Sequence, residues 1–316
     1  MNNKVLVVCS SNKGNISSFV KEQVGSLLSH GYQFDFFLIR DKGIIGYLKS
    51  IFRYYFYINN NHKSFKFVHA HYGFSGLLAV FQNKLPVIVT FHGTDISNKK
   101  ARILSFIASR FSSCNIFVHP DQPKKLYLDK TDSNIIPCGV DLNVFFPVEK
   151  KTARRKLNMN LDEKYILFSG AFNNKIKNYN LAKEAIEMLP FEVNLIELKG
   201  YSRENVNYLM NAVDCLLVTS FSETGPLVVK EAMATNTPFV STDVGDVKNI
   251  SRNVEGCFIA KYNPKNISSL LLKAITIKME GGREKINMMG LDLENVANRI
   301  SIIYDSCLDM KNSKKK

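Results

Sequence analysis

Two glutamates with seven residues between them stand in the segment Ser220-Phe221-Ser222-Glu223-Thr224-Gly225-Pro226-Leu227-Val228-Val229-Lys230-Glu231-Ala232-Met233-Ala234. The apolar run Cys215–Thr219 precedes them. Glu223 therefore falls in a strand-to-helix loop and Glu231 within the helix. Carboxylates so placed can accept hydrogen bonds from vicinal hydroxyls, which sugars supply. Thr224 is predicted to cap the helix and Pro226 to occupy its first turn. The amides near Gly225 and Leu227 would then face a phosphate. Upstream, Asn174-Lys175-Ile176-Lys177 puts two cations in one short loop. The bland alternative is a pair of surface glutamates around an ordinary capped helix.

Three further groups could do chemistry. Gly14 lies in a polar loop between an apolar run and a helical pattern, a place that suits phosphate. The full Gly-x-Gly-x-x-Gly pattern of a dinucleotide site is absent. His69 and His71 share one side of a strand if it stays extended that far. No carboxylate stands at helpful spacing for a metal, so a structural or acceptor-side role fits them better. Thr90-Phe91-His92-Gly93-Thr94-Asp95 closes a strand with a histidine, a flexible glycine and an acid. Doubly wound sheets place their ligands at such strand ends.

The elements that must position these groups alternate through both halves of the chain. Strands are predicted at Val5–Cys9, Phe34–Ile39, Phe67–Ala70, Val87–Phe91 and Asn115–Val118. Helical patterns lie between them, one of them closed by Gly31. A polar stretch, Pro147 to Lys156, reads as a linker. Strands then resume at Tyr165–Ser169, Val193–Leu198, Cys215–Thr219, Phe239–Ser241 and Gly256–Ile259. Helices are predicted at Leu181–Met188, Glu204–Ala212, Pro226–Ala234, Ile267–Glu280 and Glu294–Asp309. Such alternation implies mainly parallel sheets covered by helices on both faces. The predicted domains are 1–147, 148–300, and a C-terminal helix and basic tail over 301–316 that can pack back on the first.

Length and composition fit this division. The chain has 316 residues, 45% of them apolar, enough for two packed cores. Its longest apolar runs are too short for a transmembrane helix or a signal-peptide core. Six scattered cysteines, without a Cys-x-x-Cys pair, argue against a zinc module or a disulfide scaffold and fit a reducing cytoplasm. The formal net charge is +14, of which residues 1–147 carry 17 basic against 8 acidic side chains. Phosphates or an anionic membrane would both answer it. The segment Lys42 to Lys66 mixes cations with aromatics and has no acid after Asp41. It reads as an interfacial membrane-binding helix or as a buried helix with charged ends.

In order along the chain, these segments resemble the family-4 glycosyltransferases of the GT-B fold. The resembling residues are Gly14, His92-Gly93-Thr94-Asp95, Ile136-Pro137-Cys138-Gly139-Val140-Asp141 with Phe146-Pro147, Phe168-Ser169-Gly170 leading to Lys177-Asn178-Tyr179, and the Glu223/Glu231 pair. The resemblance implies an α/β chain of two facing Rossmann-like domains with a central cleft. It implies that Glu231 holds the nucleotide ribose and that Glu223 contacts the transferred sugar. The segment Gly225, Pro226 and Leu227 would lie near the sugar and diphosphate, Lys177 and Lys175 would neutralise the diphosphate, and Gly14 would approach it from the other domain. His92 would lie at the reacting sugar, with His69, His71 and Asp95 on the acceptor side. The sequence departs from the family at Ala171, where a basic residue usually follows Gly170, and at Cys138, which replaces an Asn.

The activity so implied is a retaining transfer of a hexose-type or N-acetylhexosaminyl sugar. The donor would be a nucleotide-diphosphate sugar, UDP before GDP. The acceptor would be a glycan or lipid-linked oligosaccharide, in surface polysaccharide biosynthesis such as capsule or O-antigen. No metal or other cofactor is expected. The implied location is cytoplasmic, with peripheral contact at the inner membrane through the basic N-terminal domain. The alternatives are a sugar-nucleotide epimerase of the same fold and a basic nucleic-acid- or glycan-binding protein without catalysis. No nucleic-acid motif accompanies the charge.

Overall fold

The computed structural model describes residues 3–11, 14–40, 43–128 and 133–313. Along the first half run β1 (Lys4–Ser10), α1 (Ser18–Ser26), β2 (Gln33–Ile39), α2 (Gly43–Asn61), β3 (Val68–His71), α3 (Gly73–Val80), β4 (Val87–Phe91), α4 (Thr94–Ser97), α5 (Lys99–Phe111), β5 (Cys114–Phe117), α6 (Gln122–Lys125) and β6 (Asn134–Ile135). The second half holds α7 (Lys150–Lys156), β7 (Tyr165–Phe168), α8 (Tyr179–Glu187), β8 (Asn194–Glu197), α9 (Arg203–Ala212), β9 (Cys215–Val218), α10 (Leu227–Ala234), β10 (Phe239–Thr242), α11 (Val247–Ile250), β11 (Cys257–Ala260), α12 (Pro264–Thr276) and α13 (Gly282–Met288), followed by α14 (Leu293–Ser313).

The strands form two sheets, ordered β2-β1-β3-β4-β5-β6 and β11-β10-β9-β7-β8, and every pairing is parallel. Central strands are mainly apolar and are buried along most of their length, because a parallel sheet is covered on both faces. Val5, Leu6, Val7 and Val8 are all fully buried. Their alternate side chains join separate cores: Leu6 and Val8 meet Tyr54 and Ile58 of α2 and Leu78 of α3, whereas Val5 meets α14 through Val296, Ile300 and Tyr304. In each sheet the strand order reverses once, between β1 and β3 in the first and between β7 and β9 in the second. Ligands of doubly wound folds bind beyond the carboxyl ends of the strands at such a reversal.

The chain divides into two compact units, one of residues 1–138 with 293–316, the other of residues 139–292. The division thus falls nine residues before the predicted 147, and the returning segment starts at Leu293 instead of 301. The cause is local. Val140 N donates to Leu291 O at 3.0 Å, Val140 pairs with Asp292, and Phe145 is buried in the second unit's core. The predicted linker is also corrected. Lys150–Lys156 is helix, with Arg154 only 4% exposed and bonded to Asp214 at 3.0 Å. Asn134–Ile135 and Gly282–Met288 form elements that the sequence reading did not predict. The basic tail Lys314–Lys316, Lys42, and Asn12 and Lys13 of the first loop lie outside the described residues.

In the first unit α3 and α5 cross closely enough that glycine is required. A Cβ on Gly73 would stand 1.9 Å from Ser105 Oγ and 2.9 Å from its Cα. Gly73→Ala is expected to part the two helices at a cost of about 1–3 kcal/mol. A lowered melting temperature measures it; an unchanged one would show that Ser105 yields freely.

Candidate functional site

The second unit's site is built where its strand order reverses. A short 3-10 turn, Lys175–Lys177, follows β7 and leads through Asn178, in the left-handed region at φ 55°, into α8. Thr219 Oγ1, just after β9, donates to the carbonyls of Lys177 and Asn178 at 2.9 and 3.0 Å. Phe221 N donates to Ile176 O at 2.9 Å. These bonds tie the lysine turn to the glutamate loop. Lys177 runs past Gly170, where an added Cβ would stand 3.1 Å from its Cγ and Cε. Its Nζ then reaches Glu223 Oε1 at 2.7 Å, and Ser220 Oγ donates to that same oxygen at 2.7 Å. Glu223 keeps Oε2 outside these bonds. Both side chains of the pair are 18% exposed, so the charges are partly desolvated yet accessible. Lys175 is exposed on the same turn and does not join the pair.

Glu231 lies on α10, 3% exposed, and Oε1 accepts from Arg203 Nη1 at 2.7 Å. The Arg203 guanidinium sits 4.5 Å above the Phe145 ring. Sequence reasoning missed this pairing, because partners 28 residues apart leave no local pattern. The predicted cap is corrected. Pro226 is the N-cap, with ψ 111°, and makes no side-chain cap bond, while Thr224 lies two residues before it. Pro226 has no N–H, so Gly225 and Leu227 alone of the three could present amides to an anion. Gly245, at φ +57°, supports this loop: a Cβ there would stand 2.6 Å from Thr224 O.

The first unit's candidates gather at the ends of β1, β3 and β4. His69 and His71 do lie on one side of β3, with ring centroids 4.4 Å apart, but both are fully buried. His69 uses Nδ1 on Tyr304 OH at 2.6 Å and Nε2 on Thr90 Oγ1 at 2.8 Å. His71 Nδ1 and His92 Nε2 share a hydrogen bond of 3.0 Å. The other ring nitrogen of His92 lies 3.9 Å from Cys138 Sγ, and Phe19 packs on its ring at 4.8 Å. Of the structural and acceptor-side roles that the sequence leaves open for His69 and His71, the contacts described are those of internal supports. Half-buried His92 has His71 and Cys138 as the neighbours of its two ring nitrogens. Among the described residues no trio of His, Cys, Asp or Glu could hold a metal ion.

Asp95 is also structural in its contacts. It is 6% exposed, and its carboxylate accepts from Gly73 N at 2.9 Å and Gly93 N at 2.8 Å. It fastens two turns with unusual backbone, Tyr72 at φ 71° and Gly93 at φ 112°. Burial raises its pKa, and the backbone hydrogen bonds oppose the rise. Beside it lies a cavity of about 420 Å³, lined among others by Ser10, Tyr47, Tyr72, Phe74 and Asn98. Gly14, exposed at φ +85°, lies in the loop after β1, with nothing within 4 Å of where a Cβ would be.

Burial makes the three histidines poor bases. His71 is pushed down to about 3, and His69 and His92 fall well below the usual 6.5. A depressed histidine favours the folded state while it is neutral. That stability is complete above the unfolded value of about 6.5 and is lost as pH falls toward the folded one. For His71 the loss at pH 5 is about 2 kcal/mol. His71→Gln is therefore expected to flatten the fall in melting temperature between pH 7.5 and pH 5. An equally steep fall in the variant would contradict this.

Residues 180–276, from α8 to the end of α12, match the family model described as glycosyl transferases group 1. The TuaC protein of Bacillus subtilis, described as a putative teichuronic acid biosynthesis glycosyltransferase, is 28% identical over 58% of this chain and 54% of its own. An Escherichia coli UDP-Gal:alpha-D-GlcNAc-diphosphoundecaprenol alpha-1,3-galactosyltransferase is 22% identical over 86% of this chain and 82% of its own. The chain spans about half the length, or less, of the first curated relatives it matches. Among solved structures, sucrose-phosphate synthase from Thermosynechococcus elongatus superposes with a TM-score of 0.77 at 16% identity, over 96% of this chain and 99% of that one. Anabaena HepE, solved in complex with UDP and glucose, gives 0.75 at 14%, over 96% and 100%. The two parallel sheets with their helices are thus the GT-B fold, and the family match falls wholly within the second unit.

Proposed function

We propose that this chain is a retaining glycosyltransferase of family 4, moving a hexose-type sugar from a UDP-sugar to a lipid-linked glycan acceptor in surface polysaccharide synthesis. The observation that carries the reading is the Lys177–Glu223 pair, 2.7 Å apart at the reversal of the second sheet. In this reading the cation would meet the charge that the leaving diphosphate gains, and the carboxylate would accept from the sugar hydroxyls. The acceptor hydroxyl attacks the anomeric carbon from the face the diphosphate leaves. The new C–O bond forms as the C–O bond to phosphate breaks, and the hydroxyl proton passes to the departing phosphate oxygen. Lys177 stabilises that oxygen's charge as it develops, and Glu223 and Glu231 orient the donor.

Support for UDP comes from HepE, whose solved complexes hold UDP and UDP-glucose. Support for a lipid-linked acceptor comes from the Escherichia coli relative, whose name specifies a diphosphoundecaprenol-linked sugar. The first unit's 420 Å³ cavity is within the roughly 300–1,000 Å³ range of ligand pockets, and its tyrosine and phenylalanine rings suit the apolar face of a sugar. Incubation with UDP-glucose or UDP-galactose and a GlcNAc-diphospho-lipid analogue tests the reading, with the product read by proton NMR. An α-linked product is expected. A β-linked product would overturn retention, and neither transfer nor donor-induced thermal stabilisation with UDP- or GDP-sugars would overturn the activity.

A further inference from the structure

Helix α2 carries two apolar stripes, and the fold accounts for one. Tyr54 and Ile58 are buried in the core, with Tyr47 and Ile51 packed against it. A second stripe, Leu48, Phe52, Tyr55 and Phe56, repeats at the same helical spacing and faces outward. Phe52 is 67% exposed, Phe56 64% and Tyr55 55%. Phe81, at the end of α3, is 59% exposed and joins Phe52 and Phe56 around a surface cavity of about 390 Å³. Keeping three phenylalanines in water has no use to the folded unit.

The surrounding charge says what covers them. Residues 43–111 contain nine lysines and arginines against one acid, Asp95. That acid is buried, with its carboxylate on the amides of Gly73 and Gly93. Lys49 is exposed between Leu48 and Phe52, and Arg53 lies over the Phe37 ring, donating to Leu38 O. With Asp95 buried, residues 43–111 present no exposed acid that would repel a phosphate. Among the described residues no helix is long and apolar enough to cross a membrane. A helix with exposed aromatics among cations is suited to lie in a headgroup layer. We propose that the α2–α3 face of the first unit docks on the surface of an anionic phospholipid bilayer. The same helix supplies Tyr47 to the 420 Å³ cavity, so docking would hold that cavity close to the membrane surface. The biological sense of this rests on the lipid-linked acceptor proposed above, but its test needs no sugar.

Co-sedimentation with phosphatidylethanolamine–phosphatidylglycerol vesicles and with pure phosphatidylcholine vesicles provides the test. The chain is expected to bind the anionic vesicles at least about tenfold more tightly, and less so at high salt. Phe52→Ser with Phe56→Ser is expected to weaken that binding at least about tenfold while circular dichroism and melting temperature hold. Phe81→Ser and Lys49→Glu, each elsewhere on the patch, are expected to weaken it by smaller factors and serve if the double variant misfolds. Binding indifferent to lipid charge and salt, or undiminished in all these variants, would overturn the proposal. So would sedimentation velocity showing a lipid-free dimer that these substitutions dissociate, which would make the face a self-association surface.

Discussion

Lys177→Ala is expected to cut turnover at least about 100-fold, the scale of losing one transition-state contact. Its ammonium is 2.7 Å from Glu223, held by a turn bonded to the loop after β9. Under the proposed mechanism its charge matters most when the diphosphate leaves. The loss should therefore fall on kcat more than on KM. Glu223→Ala is expected to lose as much, by releasing both Lys177 and the sugar hydroxyls. Breaking the pair costs folding stability on the order of 1 kcal/mol, so both variants should remain folded at assay temperature. Gly170→Ala probes the same feature without touching either charge. Its Cβ would meet the Lys177 stem at 3.1 Å, and displacing the ammonium slightly is expected to cost about tenfold. Near-normal turnover in both Lys177→Ala and Glu223→Ala would remove the site assignment.

Most strands were legible in the sequence because each carries a short, largely apolar run cut off by turn residues. Val87–Phe91 coincides with its prediction, since both faces of a parallel strand are buried and the run stops where burial stops. The second unit's site was legible because Lys177, Glu223 and the glycines lie in loops whose positions the strands dictate. What stayed hidden depends on distant partners. The sequence leaves His69 between a structural and an acceptor-side role, and its contact with Tyr304, 235 residues away, shows in the fold alone. Lys150-Lys151-Thr152-Ala153-Arg154-Arg155-Lys156 looks like a solvated linker until Asp214 draws Arg154 inside. The division at Cys138 depends on a pairing of Val140 with Asp292 that no local pattern announces.

That buried arginine leads to the second large effect. Asp214, 5% exposed, accepts from Arg154 Nη2 at 3.0 Å, Lys150 Nζ at 2.9 Å and Tyr165 N at 2.9 Å. Arg154 spends its other donors on the carbonyls of Ala212, Leu161 and Glu163, and its guanidinium lies 5.0 Å from the Tyr165 ring centroid. One carboxylate thus joins α7 to the start of β7 and to the turn before β9, the two strands that carry the lysine turn and the glutamate loop. Asp214→Ala removes the anion and leaves Arg154 charged in the interior, at an expected cost of about 3–5 kcal/mol. Asp214→Asn keeps an acceptor of the same shape and should cost less. The pair lies within the second unit, so a local readout resolves its effect: amide hydrogen exchange on peptides covering β7 and β9. Their slowest amides are expected to exchange at least about 100-fold faster in Asp214→Ala, while β1 and β4 keep their protection. Unchanged protection in β7 and β9 would mean that the buried pair does not hold the second unit together, and that α7 is an ornament on a sheet that stands without it.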